Sequence, residues 1–577
     1  MRTRQHRRSV AQPCAIFFSA LLALVALILS SAPAAQRTGT FDVLLTNGRI
    51  VDGTGAPWFR GDVGIAGDRI AAIGSLAGST AALTIDATNL VVAPGFIDLL
   101  GQSEFNVLVD GRAASKIMQG VTTEVTGEGS SIAPVNDRLI QEAAPQATAF
   151  GVAQDWRTLA DYFRRLEERS RPAINVATFV GAGGLRNYVV GKDDRPATPA
   201  ELDQMRQLTA DAMKQGALGV STSLQYVPDR FASTDELVEL AKVAAQYGGV
   251  YFTHQRSEGV RVFESLDEVF AIAERARIPA EIWHLKTAYK ANFGKMAEVL
   301  RRIEAARTRG LDVTANQYPY TRASNGLDSC LPIWSREGGL EKTLERLRDP
   351  ATRERIKKDM DDATATVWEN QWYGANGGDG VMLSTVLSPE LRKYEGMTLT
   401  DIGKTMGKDP RDAVMDLVIA DRGESSVITA IMDEADVRTA LKHPLVGIGT
   451  DSGARAEDGR MSESKSHPRG WGTFPRILGH YVRDEHLLTL EEAVRKMTSK
   501  AATRVHLADR GILRPGMAAD ITVFDPATIR DVATFERPNK YADGVRHVFV
   551  NGRRVVADGA ITAERPGRPL RGPGYRQ

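Results

Sequence analysis

Between residues 93 and 507, short apolar runs keep alternating with stretches of helical character. Asn175–Val180, Gly249–Thr253, Ala280–Trp283, Leu311–Ala315 and Leu445–Gly449 are too short and too apolar for surface helices, and each is flanked by helix-forming sequence. That grammar belongs to parallel strands buried between helices. A span of this length accommodates it most simply as one α/β domain, a (β/α)8 TIM barrel with insertions. The two ends read differently. Asp42–Leu45, Arg49–Val51, Asp62–Ile65 and Arg69–Ile73 are short β segments set off by Asn-Gly, Asp-Gly and Gly-Asp pairs, and the pattern returns in Asp520–Phe524 and Val548–Val556. Residues 35–92 and 508–577 are therefore expected to form one small β domain. Residues 335–380 are charged and rich in helix formers; they fit either an insertion that acts as a lid or an ordinary crossover helix with a loop. From Arg565 onward the chain is rich in Pro, Gly and Arg, which predicts a frayed end.

The first 34 residues combine a basic start (Arg2, Arg4, Arg7, Arg8), an apolar run from Ala15 to Leu29 broken by Ser19, and a small-residue exit at Ser30–Ala34. This is the layout of a signal peptide. The run is shorter than the roughly 20 residues a spanning helix needs. Cleavage near Ala34, export to the periplasm or beyond, and no stable membrane anchor afterwards are the expectations. Beyond this segment 69 basic residues face 72 acidic ones, a balance that offers no footprint for nucleic acid. A chain 42% apolar and 25% charged is neither collagen-like nor wholly disordered. Cys14 lies in the leader, so Cys330 is left without a disulfide partner; with no CxxC or neighbouring His, it reads as a buried thiol.

In a barrel, reacting groups sit at the C-terminal ends of the strands. Three residues stand there by sequence: His254 after Val250–Thr253, His284 after Glu281–Trp283, and Asp451 after Val446–Thr450. Imidazoles and a carboxylate at strand ends can converge on a hydrolytic metal ion with one open position.

These residues sit among longer stretches with a family character. Leu45–Gly55, Ala93–Asp98, Gly120–Thr123, Gly216–Gly219, Tyr226–Pro228 and above all His467–Gly479 resemble the N-acyl-D-amino-acid deacylases of the amidohydrolase superfamily. The resemblance covers essentially the whole chain after the leader. It implies a metal-dependent barrel with a small β-sandwich built from both termini. It also implies roles: His254 and His284 as metal ligands, Asp451 as the catalytic aspartate, and Lys286, Tyr318, Ser324 and Arg469 as the group that holds the substrate carboxylate. A fixed cationic and hydroxyl pocket of that kind orients the carbon beside the scissile amide. Arg256 and Glu258 are expected on the pocket wall, as supports of the site or as an ion pair. His467 either assists the oxyanion or braces Arg469.

The chain departs from the family pattern in two places. The usual His-x-His pair after Pro-Gly-Phe-Ile-Asp is replaced by Leu100 and Gln102, which leaves one of two metal positions weak or absent. The usual metal-binding cysteine is missing from Val125–Ser131, where strict register places Gly129. Glu128, one residue earlier, is the expected anionic substitute, with Glu124 as the alternative. The expectation is a single Zn²⁺ held by Glu128, His254 and His284, with water in the fourth position. The implied activity is hydrolysis of a small N-acyl-D-amino acid, with Asp451 shuttling the proton. Competing readings are another amidohydrolase, such as a dipeptidase or cyclic amidase, and an exported pseudoenzyme that binds ligand without turnover.

Overall fold

The computed structural model describes residues 39–366 and 368–576; the expected signal peptide lies outside them. Strands Phe96–Asp98, Val121–Thr126 and Asn175–Thr178 pair in parallel, the last continuing past Phe179 into Val180–Gly181. From there Gly219–Ser223, Val250–His254, Ala280–Ile282, Val313–Gln317 and Val446–Ile448 follow in parallel register. The circle closes where Leu99 N donates to Ile448 O at 3.3 Å and Gly101 bridges Ser452. These are the eight strands of a barrel. Every residue of Val250–His254 and Val313–Gln317 is buried, because helices cover the outside and side chains fill the inside.

The outer helices are cut to length by local signals. Pro199–Gln215 begins at Thr198, which forms a capping box with Glu201, carries proline in its first turn and ends at Gly216 with φ of 112°. Val262–Ala276 buries Leu266, Val269, Phe270 and Ala273, an i, i+3, i+4, i+7 stripe turned to the barrel.

The terminal segments form one continuous sheet of nine strands. Val91–Pro94 pairs with Ile521–Phe524 from the other end of the chain, and parallel with the end of Thr40–Ile50. Side chains from both ends, among them Val43, Val63, Ile521 and Phe549, enclose a single apolar cluster.

Two features differ from the sequence expectations. The segment between the seventh and eighth barrel strands is wider than 335–380: it includes an antiparallel sheet of Ala323–Gly326, Ser426–Thr429 and Val381–Thr385, with helices such as Leu340–Arg348 and Pro410–Ala420 packed around it. The Pro/Gly-rich end is not frayed. Gly567 N donates to Pro172 O, Leu570 N to Val176 O and Gly572 N to Gly216 O, each at 2.8 Å, so the tail is strapped to the N-terminal side of the barrel strands.

Candidate active site and metal centre

Glu128 stands two residues beyond the second barrel strand, His254 ends the fifth, and His284 follows the sixth by two. Their side chains meet. Glu128 Oε1 lies 3.1 Å from His254 Nδ1 and 3.1 Å from His284 Nε2, and the two rings pack edge to face at 4.4 Å. Two atoms bound to one zinc ion at tetrahedral angle are about 3.3 Å apart. The three donors, all within 4.8 Å of one another, therefore fit a divalent cation, as do their chemical types. Burial opposes a charge on Glu128, but the hydrogen bonds from His254 and His284 outweigh it and hold the carboxyl well below its usual range.

Behind the histidines, Lys286 Nζ lies 2.6 Å from Glu258 Oε1 and 2.8 Å from His284 Nδ1. Burial and the Lys286 charge push His284 down, yet Glu258, Asp451 and Glu128 together raise its pKa to about 9 when no cation stands between the rings. The surrounding carboxylates thus favour positive charge at this point, and a metal ion would have to displace the His284 proton to bind there.

Asp451 and His284 both adopt left-handed backbone, with φ of 51° and 36°. Such residues cost roughly 1 kcal/mol each and persist where surrounding contacts fix them. Here Asp451 N donates to Leu100 O at 2.8 Å and His284 N to Asn316 Oδ1 at 3.0 Å. Asp451 Oδ2 lies 2.8 Å from Arg469 Nη1, while Oδ1 accepts from Gln102 Nε2 at 2.9 Å. The same amide nitrogen donates to Glu128 Oε2 at 2.9 Å. Burial raises the Asp451 pKa despite Arg469, which favours a carboxyl able to take up a proton. The cluster lines a cavity of about 530 Å³ that also contains Lys286, Glu258, Ser324, His467 and Arg469.

Several expectations need correction. Tyr318 does not line the cavity: it is fully buried, its hydroxyl turned to Met432 Sδ at 3.4 Å, and its ring lies 4.6 Å from the Arg469 guanidinium. Its contacts with Arg469 and Met432 fit a support for Arg469. Arg256 does not pair with Glu258; Glu268 and the carbonyls of Arg230 and Ala232 occupy its guanidinium, in a separate cavity. Glu124, the alternative ligand, faces Ser103 at 2.7 Å and Lys116 at 3.5 Å and is no part of the histidine cluster. His467 accepts from Arg469 N at 2.9 Å and donates to Arg322 O at 2.9 Å, so both ring nitrogens are engaged by backbone and it braces Arg469. Burial and the Arg469 charge keep it neutral. Ser324 reaches the cavity wall, where its carbonyl accepts from Arg469 Nη2 at 3.3 Å. Cys330 is buried, its thiol pushed up to about 12 by burial, and so inert.

Two contributors escaped sequence reasoning. Gln102 stood out only as a lost imidazole, whereas its amide joins Glu128 to Asp451. Lys116, fully buried, donates to Asp98 Oδ2 at 2.7 Å, Thr450 Oγ1 at 2.7 Å and Ser452 O at 2.6 Å, pinning the turn that carries Asp451. The available signal was a lysine inside the apolar run Ala113–Met118, with Asp98 at a strand end nearby.

A family profile described as "Amidohydrolase family" matches residues 83–556. The chain belongs to the amidohydrolase family. Within that family it groups with the N-acyl-D-amino-acid deacylases. It is 37% identical to a D-aminoacylase of Alcaligenes xylosoxydans xylosoxydans over 92% of this chain and 97% of that one. An N-acyl-D-glutamate deacylase of the same organism is 36% identical over 92% of this chain and 96% of the relative. Among solved structures, an N-acyl-D-glutamate deacylase from Bordetella bronchiseptica, complexed with zinc and a phosphonate mimic of the tetrahedral intermediate, superposes with a TM-score of 0.77. It is 33% identical and covers 92% of this chain and all of that one. A D-aminoacylase described as having a binuclear metal centre, with one-metal activation and second-metal attenuation, gives a TM-score of 0.76 at 36% identity, with the same coverage. This amidohydrolase shares the barrel and the added β domain with those proteins.

Proposed function

We propose that the chain hydrolyses the amide bond of N-acyl-D-amino acids, using one zinc ion held by Glu128, His254 and His284. The observation that carries this reading is a carboxylate oxygen equidistant from two imidazole nitrogens, in one cavity with an aspartate that burial primes for a proton. When bound, a divalent ion activates water and stabilises negative charge on the acyl oxygen. Asp451 takes the proton of the attacking water and returns it to the leaving nitrogen. Gln102 and Arg469 orient the Asp451 carboxylate from either side. Lys286, Ser324 and Arg469 supply the polar wall on which the substrate carboxylate rests, with Tyr318 and His467 holding Arg469 from behind. Full-length similarity to a D-aminoacylase and to two acidic N-acyl-D-amino-acid deacylases supports the substrate class and its handedness. Replacement of one His-x-His position by the amide Gln102, already committed to two carboxylates, supports one ion rather than two. Residues 1–34 support export.

The test is metal analysis of purified protein by mass spectrometry, paired with chiral chromatography of N-acetyl-D- and N-acetyl-L-amino acid digests. About one zinc per chain and release of the D-amino acid alone are expected. Metal-free protein under zinc-replete conditions, or equal turnover of both enantiomers, refutes the reading.

A further inference from the structure

A second cavity of about 650 Å³ adjoins the one that holds the metal cluster. The two share Asn106, Thr385, Ser426 and Arg455, and so form one elongated cleft. The far part is walled by apolar side chains, including Phe105, Phe150 and Leu387. Its charged residues are largely committed. Arg392 Nη2 lies 2.7 Å from Glu463, and Arg460 Nη1 donates to Ala149 O at 2.9 Å. In the near part, Arg469 faces Asp451.

Arg455 is different. Its backbone is fixed, with the amide donating to Ser115 Oγ at 3.0 Å and the carbonyl accepting from Ser115 N at 2.8 Å. Its guanidinium, at the junction of the two cavities, has no hydrogen-bond or ion-pair partner among the described residues. Glu395 is the carboxylate whose charge reaches it, and it lies beyond ion-pair distance. A half-buried guanidinium with five donors and no acceptor has been partly stripped of water without compensation, a cost that an anionic ligand reverses. A planar carboxylate fits the fork of donors.

We propose that Arg455 binds a second carboxylate of the substrate, additional to the one beside the scissile amide, so that the preferred substrates are dianionic. This rests on the deacylase reading. The second carboxylate has two possible sources, the side chain of the amino acid or the far end of the acyl group. Four substrates separate them: N-acetyl-D-glutamate against N-acetyl-D-glutamine, and N-succinyl-D-leucine against N-butyryl-D-leucine. Each pair is matched in length and differs in the charge.

In wild-type holoenzyme, the carboxylate member of one pair is expected to exceed its neutral partner in kcat/KM at least tenfold. The pair that shows this identifies the source. In Arg455→Met the ratio falls towards one, and in Arg455→Lys it is partly restored. Absence of a preference in both pairs, with the neutral substrates hydrolysed, overturns the inference and leaves the deacylase reading intact; so does a preference that persists in Arg455→Met. Hydrolysis of none of the four removes both. Where Arg455→Met fails to fold, the absence of a wild-type preference still overturns the inference, and a wild-type preference is assigned to Arg455 by its reduction in Arg455→Lys.

Discussion

Lys116→Met is the sharpest test of how the barrel holds its catalytic turn. The ammonium is completely buried and makes three short hydrogen bonds, to Asp98, Thr450 and Ser452, with Glu124 a further 3.5 Å away. Methionine matches its length and supplies none of them. Asp98 retains the amides of Leu100 and Thr450 at 3.1 and 2.8 Å and the Thr450 hydroxyl at 2.6 Å, so its charge is not wholly stranded. Breaking a buried pair from one side nevertheless costs about 3–5 kcal/mol, because the remaining carboxylate loses its counter-charge. The midpoint of guanidinium unfolding is expected to fall accordingly. Freed from Lys116, the Thr450–Ser452 turn no longer holds Asp451 in left-handed backbone, and kcat on N-acetyl-D-amino acids falls at least tenfold while zinc content is retained. Asp98→Asn in the same background should cost less than it does alone, the two being coupled by about 0.5–3 kcal/mol. A Lys116→Met protein within about 1 kcal/mol of wild type, with full turnover, would refute the claim that this network positions the turn.

Other expectations follow from the same geometry. Asp451→Asn should lower kcat by about 10²–10⁴-fold with zinc content unchanged, read by steady-state kinetics and metal analysis. His254→Ala and His284→Ala should lose metal and activity together, a result checked on the same samples. Leu100→His combined with Gln102→His should raise bound zinc from about one to about two per chain; because Leu100 is fully buried beside Val125 and Trp283, a lower unfolding midpoint should accompany it. Glu124 is held by burial at a pKa of about 7, against 4.5 ordinarily, so the folded state binds its proton more tightly than the unfolded chain does. The stability this provides is complete below pH 4.5 and is lost as pH rises through about 7. Urea unfolding between pH 5 and 8 should therefore show a downward slope in wild type that is shallower in Glu124→Gln.

What the sequence disclosed depended on whether a residue's role is local. His254, His284 and Asp451 announce themselves because each directly follows an apolar run, and a barrel places such positions on one rim. Glu128 could be inferred from register because a carboxylate one residue away can reach where a thiolate would stand. Gln102 and Lys116 were harder to read: each has one partner near in sequence, Glu128 and Asp98, but the partners that tie them to the Asp451 turn lie 349 and 334 residues away. Tyr318 misled because a strand-end tyrosine is equally suited to a pocket or to the core, and the side chain's direction is settled by Met432 and Arg469 from distant segments. The three-stranded sheet between the seventh and eighth barrel strands was missed because its strands are four or five residues long and lie among longer helices.

The pairing of Val91–Pro94 with Ile521–Phe524 has a bearing on how the molecule is made. More than 400 residues separate the partners, so most barrel strands can find their neighbours in order of synthesis while the barrel closure and, last, this junction wait. Until residue 524 is free to fold back, the Val91–Pro94 edge presents unpaired amide groups and apolar side chains, the combination on which nascent chains stick to one another. Whatever holds the early part of this polypeptide during its production has to shield that edge, and termination just upstream of Ile521 would leave a product that keeps Glu128, His254 and His284 but exposes an adhesive flank.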